Sequence, residues 1–364
     1  MKDILISGYY GFGNSGDDAL LSCIIDDICK FTDRSNIAVL TANPEETARV
    51  YGVRTIDRMN IISIAAAMTR SKLLISGGGT LMQDGTSTKS LIYYLGIIFL
   101  AQLFGLKTML YANGIGPLVR DKNKKRTKKI LSKVDMITLR DMRSKEVLDE
   151  IGVKNKNIHV TADPVFGVDG VTSEFGKNLL KKLGIPEGTR CIGISVRGRK
   201  GASEAFIDET AAAVNAAIEK YDLFPVIIPM QHSKDMEICK SLSSKLLSES
   251  IIIEEKLSIY EAFSLVSCME LCIGMRLHML IYAAAMCVPV IGLVYDPKVS
   301  GFMQYTGQKF YIDVDSVTKE ELMSLTDEIM ENYDKIKKDI FEAHAKMREL
   351  TSHNAEYLNE LIEK

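Results

Sequence analysis

Several things are missing from this 364-residue sequence, and each absence narrows what the chain can be. It has no excess of charge. Its 45 Lys and Arg stand against 47 Asp and Glu, a formal net charge of −2, so no global basic field is present to hold nucleic acid. No low-complexity tract interrupts it, and 46% hydrophobic with 25% charged residues is the balance of a soluble globular chain. The seven cysteines are odd in number and lie mostly in apolar runs. Cys268 and Cys272 have helical spacing, but no second Cys or His pair is near enough to complete a zinc site. No metal is expected, and free thiols in a reducing cytoplasm are. No secretory leader is expected either, because Met1-Lys2-Asp3 runs straight into the strand Ile4-Leu5-Ile6. The uncharged stretch from Leu91 to Leu106 is shorter than a usual spanning helix and is expected to lie buried between a sheet and its neighbours.

What is present centres on ELCIGMRLHMLIYAAAMCVPVIGLVYDPK, residues 270–298. Leu271 to Ile273 reads as a buried strand stopping at Gly274. Leu277 to Cys287 has helical length, with Ala283, Ala284 and Ala285 permitting close packing. Val288 to Tyr295 is a second apolar, β-branched strand, ending at Asp296-Pro297-Lys298. The segment is therefore a βαβ unit of a parallel sheet. Arg276 and His278 fall where strand becomes helix, at the carboxyl edge where open α/β sheets bind ligands. The first helical turn offers free N–H groups and the positive end of the dipole, and Lys298 leaves the next strand at the same edge. Arginine, histidine, lysine and a helix N-terminus together make an anion site that contains a proton donor. The bland account, a surface arginine and a locally capped histidine, explains each residue but not the grouping.

The N-terminal half repeats apolar strand, glycine-rich turn and helix: Asp3–Ser7 before GYYGFGNSGDDALL, Lys72–Ser76 before GGGTLMQD, Thr108–Tyr111 before ANGIGP. A second series begins at Cys191–Ser195, before VRGRKG, and continues through Phe224–Pro229 and Ile251–Ile253 to the βαβ unit above. From Val317 onward the pattern is helical and mixed in charge. The expected fold is α/β, two Rossmann-like domains facing across a cleft, with limits at 1–168, 169–320 and a helical 321–364 that packs back on the first domain. Gly11-x-Gly13-x-x-Gly16 is a literal dinucleotide fingerprint, but Asp17 and Asp18 follow where a pyrophosphate would rest. The second strand ends in Thr41-Ala42-Asn43, without the acidic residue that holds an adenosine ribose, so NAD is not expected. The acidic pair suits sugar hydroxyls better than phosphate, with helix capping as the competing account of one of the two.

In that order, GYYGFGNSGDDALL, SGGGTLMQD, TLRDMRS, TADPVF, SVRGR and GMRLHMLIYA resemble the polysaccharide pyruvyl transferase family over nearly the whole chain. They are most similar to the CsaB-type members, which add a pyruvate ketal to N-acetylmannosamine in secondary cell-wall polymers of bacteria with S-layers. The resemblance implies a GT-B-like fold, phosphoenolpyruvate as donor co-substrate with no further cofactor, and a lipid-linked saccharide acceptor. It places the donor motif on Arg276, Leu277 and His278, and further donor contacts on Lys298, Arg140 and Arg197. Gly13, Asn14 and Asp84 are the expected acceptor contacts. Asp17 and Asp18 are expected to orient or deprotonate the attacking hydroxyl, and His278 to be the general acid. Arg140 has a structural alternative, pairing with Asp141 or Asp163. The run KNKKRTKK (122–129) is either a solvated helix face or a patch that docks on anionic headgroups, which would put the protein peripherally at the cytoplasmic membrane face. Two other functions stay open at this point: a sugar-nucleotide glycosyltransferase of the same architecture, and a non-catalytic saccharide-binding protein.

Overall fold

Short β-branched runs, each closed by a glycine or a polar turn, form thirteen parallel strands in two sheets among the described residues. The computed structural model describes residues 3–85, 87–198 and 205–363. The end of the VRGRKG segment, from Arg199, lies outside the described residues. The chain divides into two units: residues 1–168 with 347–364, and residues 169–346.

In the first unit β1 (Asp3–Ser7), α1 (Ser15–Cys29), β2 (Ile37–Thr41), α2 (Pro44–Tyr51) and β3 (Arg54–Asp57) wind one way. Helix α3 (Ile61–Arg70) then carries the chain back to β4 (Ser71–Gly77). From there α4 (Thr88–Leu103), β5 (Lys107–Asn113), α5 (Asp121–Leu131), β6 (Met136–Leu139), α6 (Met142–Glu150) and β7 (Ile158–Val160) wind the other way. The strand order β3-β2-β1-β4-β5-β6-β7 puts the topological switch between β1 and β4. Aliphatic residues of α3, α4, α5 and α6 bury one face of this sheet. Residues of α1, with Leu358 and Leu361, bury the other.

The second unit runs through α7 (Glu174–Lys182), β8 (Cys191–Ser195), α8 (Ala205–Tyr221), β9 (Phe224–Ile227), α9 (His232–Lys245) and β10 (Ile251–Ile252). It continues with α10 (Ile259–Val266), β11 (Met269–Gly274), α11 (Leu277–Ala285), β12 (Val290–Val294), α12 (Pro297–Tyr305), β13 (Tyr311–Asp313) and α13 (Lys319–Glu331). The order β10-β9-β8-β11-β12-β13 places its switch between β8 and β11. Helix α14 (Tyr333–Glu363) begins in the second unit and ends in the first. There Thr161 Oγ1 donates to Asn354 Oδ1 at 2.9 Å and Thr351 Oγ1 to the Asp163 carbonyl at 2.9 Å.

One expectation is corrected. Helix α4 is buried on one side only: Ile92, Phe99, Leu103 and the following Phe104 are 45%, 46%, 66% and 43% exposed. The helix is apolar all round, so composition alone hid that one of its faces meets solvent.

Candidate functional site

In the second unit the site grows from the carboxyl edge of β8 and β11. Ser195, Gly274 and Gly292 are in register across β8, β11 and β12, a row of small residues at that edge. A Cβ on Gly274 would lie 2.6 Å from Leu280 Cδ2, so a larger residue there would push the buried Leu280 of α11 aside. Arg276 is the N-cap residue of α11, and Leu277 and His278 form its first turn. Arg276 does not reach into open solvent. Its Nε donates to Asp235 Oδ2 at 3.0 Å and its Nη2 to Asp235 Oδ1. Asp235 is wholly buried in the first turn of α9 and also accepts the Gln231 amide at 2.9 Å. The N-termini of α9 and α11, which follow the strands on either side of β8, are thus tied by a bidentate ion pair that fixes the guanidinium plane.

On the other side of the switch, Arg197 follows β8. Its Nη1 donates to the Tyr295 hydroxyl at 2.8 Å, and its Cζ lies 4.6 Å from the Tyr295 ring centre. Lys298, exposed in the first turn of α12, has its Nζ 5.5 Å from the same ring. Tyr295 therefore positions both cations by their attraction to its π face. Arg197 Nε, Ser195 Oγ and His232 Nε2 are buried polar atoms with no hydrogen-bond partner among the described residues. Such atoms are few in folded proteins, and these three follow or close the strands of one sheet edge. The His278 ring centre lies 6.4 Å from that of Tyr282, one turn along α11.

In the first unit the loop after β1 carries the glycine fingerprint. Gly11 has φ +79°, and a Cβ there would come within 2.4 Å of Thr41 Oγ1, so it serves the packing of this loop on the end of β2. Asn14 caps α1, accepting the Gly16 amide at 3.4 Å and donating to Asp17 Oδ2. The cap is thus the asparagine, not either aspartate. Asp17 is 7% exposed and faces the loop after β4, where a Cβ on Gly79 would be 2.9 Å from its Oδ1. Burial raises the Tyr9 hydroxyl pKa and the Asp17 carboxylate adds to the rise. The Asp18 backbone carbonyl accepts the Tyr51 hydroxyl at 3.1 Å, and its carboxylate adds to the rise in the Tyr51 pKa that burial causes. Beside them Arg58 is enclosed by Phe12, Tyr93 and Tyr94, with ring centres 5.1, 4.4 and 5.5 Å from its Cζ.

Arg140, at the end of β6, is in the first unit, apart in the chain's division from the other expected donor cations. Its Nη2 donates to Thr80 Oγ1 at 3.0 Å and its Nη1 to Asp163 Oδ2 at 3.3 Å, with Asp141 3.6 Å from its Nε. The structural alternative for Arg140 is therefore realised in the fold. Burial pushes the Asp163 carboxyl pKa up, and Arg140 pulls against it.

A sequence model described as "Polysaccharide pyruvyl transferase" matches residues 14–297, more than half of the chain. The chain belongs to the polysaccharide pyruvyl transferase family. It is also 21% identical to the amylovoran biosynthesis protein AmsJ of Erwinia amylovora, covering 93% of this chain and 95% of that one. Among solved structures it is similar to Anabaena HepE in complex with UDP-glucose (TM-score 0.66, 10% identity, 99% of each chain). It is also similar to the UDP-GlcNAc 2-epimerase of Neisseria meningitidis bound to UDP-GlcNAc (TM-score 0.66, 12% identity, 99% of this chain and 100% of that one). At such identities these likenesses speak for the fold: two Rossmann-like units of the GT-B type.

In this pyruvyl transferase, Arg197, Arg276, Leu277, His278 and Lys298 come together at one sheet edge of the second unit. Leu277 buries its side chain, so what it offers a ligand is its backbone amide in the first turn. Asp84 is corrected. It is buried and accepts the Val119 amide at 2.6 Å, the Arg120 amide at 3.1 Å and Asn123 Nδ2 at 2.7 Å. Burial alone would raise its pKa, but these donors outweigh it and hold the carboxyl below the usual range. Buried, with three protein donors on its carboxylate, Asp84 clamps the loops after β4 and β5. The same loops are zipped further by Asp84 N–H to the Pro117 carbonyl (3.0 Å), Gly116 N–H to Met82 (2.8 Å) and Gly114 N–H to Gly79 (3.0 Å).

Sequence reasoning missed Asp235, Tyr295, Ser195 and Arg58. Asp235 had a signal, an acidic residue in the first turn of the helix after β9, at the same sheet edge as Arg276. Tyr295 had a weaker one, immediately before the Asp-Pro-Lys that closes the βαβ unit.

Proposed function

We propose that this pyruvyl transferase takes its pyruvyl group from phosphoenolpyruvate and delivers it to a lipid-linked, N-acetylmannosamine-containing saccharide of a cell-wall polymer. The observation that carries the donor assignment is the convergence at one sheet edge of Arg276, Arg197, Lys298 and the N-terminus of α11. Phosphoenolpyruvate is a compact anion with a phosphate at one end and a carboxylate at the other. A guanidinium held in a fixed plane, a second one against Tyr295, an exposed lysine and helix N–H groups suit both ends.

The chemistry requires that the vinyl CH2 gain a proton and become CH3, and His278, in the first turn of α11, is the donor in this reading. One sugar hydroxyl then bonds to the adjacent carbon, phosphate leaves with the C–O electron pair, and a second hydroxyl closes the ketal. Two hydroxyl protons are released in all. One balances the proton placed on the methyl group and the other leaves with phosphate. Asp17, buried beside the Gly79 loop of the first unit, orients or deprotonates an acceptor hydroxyl in this reading, with Asp18 as the alternative.

Phosphate release from phosphoenolpyruvate, followed with synthetic lipid-linked acceptors bearing different terminal sugars, tests the reading. Release that depends on N-acetylmannosamine supports it. A thermal shift with UDP or a UDP-sugar, and none with phosphoenolpyruvate, would overturn the donor. Release with some other terminal sugar would overturn the acceptor.

A further inference from the structure

The outer surface of the first unit carries an apolar strip beside a basic one. On α4, residues 92, 96, 99 and 103 form one helical stripe, and Ile92, Phe99 and Leu103 on it are 45%, 46% and 66% exposed. Next to its N-terminal end stand Met59, Ile61 and Ile62, 73%, 71% and 84% exposed at the start of α3. The Tyr93 hydroxyl donates to the Arg58 carbonyl at 3.0 Å, which ties the Met59 loop to α4 beside Ile92. So many large apolar side chains exposed along two adjoining elements call for a covering partner.

Helix α5 lies alongside α4 over its whole length. Arg120 Nη1 donates to Thr88 Oγ1 at 2.8 Å at one end, and Gln102 Nε2 to the Ile130 carbonyl at 3.3 Å at the other. Residues 122–129 hold six Lys or Arg, and Lys122, Lys125, Arg126 and Lys129 are exposed. Helices α3 and α4 carry no acidic residue and α5 carries only Asp121.

We infer that this face, formed by the start of α3, the outer stripe of α4 and the basic side of α5, docks on an anionic lipid bilayer. Apolar side chains that enter the headgroup–acyl boundary next to a cluster of Lys and Arg are the combination an anionic interface attracts. A second copy of this chain fits the face poorly, since α3, α4 and α5 offer only Asp121 to pair with the Lys and Arg of α5. No described helix is long and apolar enough to cross a membrane, so the contact is peripheral. The apolar end at Met59 adjoins Arg58, Phe12 and Tyr93, beside the loop that presents Asp17. Only the corollary, that a lipid-linked saccharide meets the enzyme there, rests on the proposed acceptor. The docking itself does not.

Co-sedimentation with vesicles tests this without any turnover. The full-length protein should pellet with phosphatidylcholine vesicles containing phosphatidylglycerol, pellet weakly with phosphatidylcholine alone, and be released by salt. Phe99→Asp with Leu103→Asp should lower the partition coefficient at least roughly 30-fold, since each loses a buried apolar side chain. Lys122→Glu, Lys125→Glu and Lys129→Glu together should lower it roughly 100-fold or more at low salt. Unchanged thermal melting and unchanged turnover of a water-soluble acceptor analogue show that the variants are intact. Should either be lost, the milder Phe99→Ser and Lys125→Gln take their place. Wild-type protein that stays in the supernatant with anionic vesicles at low salt overturns the inference. So does a dimer in sedimentation velocity that the Phe99 and Leu103 changes dissociate while vesicle binding is unaltered, which would make the face a protein interface.

Discussion

Replacing Arg276 should do more than remove a ligand contact, because the same guanidinium neutralises a buried carboxylate. Asp235 is 0% exposed, the Arg276 side chain is 14% exposed, and two charge-assisted hydrogen bonds join them. Removing one member of such a pair leaves a stranded charge, at about 3–5 kcal/mol. For a unit of this size that is a fall in melting temperature of about 6–20 °C. Removing both should cost far less than the sum of the single changes. The expected coupling for Arg276→Met with Asp235→Leu is about 2–4 kcal/mol in favour of the double variant. Thermal unfolding of wild type, both singles and the double, at one pH and salt concentration, measures it. Calorimetry with phosphoenolpyruvate then separates the roles. Arg276→Lys keeps the charge, loses the planar fork and should weaken donor binding. Asp235→Asn should also weaken it, by releasing the guanidinium from its plane. Additive single effects would refute the pairing as the source of the stability loss. Unchanged donor affinity in Arg276→Lys would refute the binding role.

Three further outcomes are expected. His278→Ala should lose about 10²–10⁴ in turnover with donor binding reduced far less. His278→Gln keeps a hydrogen-bond donor, so near-normal turnover in that variant, measured by phosphate release, would make His278 a binding residue and place the acid elsewhere. Asp17→Asn should depress turnover more than Asp18→Asn, since the Asp17 carboxylate faces the Gly79 loop while that of Asp18 acts on Tyr51, and phosphoenolpyruvate affinity measured by calorimetry stays as it was in both. Asp84→Ala should destabilise the first unit by about 2–4 kcal/mol in chemical denaturation, since several donors lose one charged acceptor. Folding holds the Asp84 carboxyl below its usual range. Its contribution is therefore complete above the ordinary aspartate pKa of about 4 and fades as pH falls through the lower folded value, so Asp84→Asn should flatten that acid limb.

The elements legible in the sequence were those with an apolar run, the edge strand β10 among them. β11, α11 and β12 announce themselves as β-branched and alanine-rich runs around Gly274, and the strands before the glycine turns do the same. The strands that went unread are edges. β3 (RTID) and β13 (YID) have no fully buried position, so neither has an apolar run to betray it. At the site, residue types and their places at strand ends brought out Arg276, His278 and Lys298. What Arg276 touches could not be read, because Asp235 is 41 residues earlier and meets it only through the strand order. Asp84 shows the converse. Its glycine-rich setting resembled a ligand loop, and only the three-dimensional path of residues 117–123 shows that the protein itself uses the carboxylate.

The zipped loops after β4 and β5 also bear on how the first unit would meet the proposed acceptor. Ordering loose backbone costs about 1–2 kcal/mol for each residue immobilised, and a loop that orders only around its ligand subtracts that from the affinity. Here the amides of Asp84, Gly114 and Gly116 are already engaged across the two loops, next to Thr80 and Arg140. Their entropy is lost in folding, before any saccharide arrives. The rim of the first unit is in this sense rigid in advance, and hydrogen exchange at Gly114 and Gly116 should be as slow in the free enzyme as in its complex with acceptor.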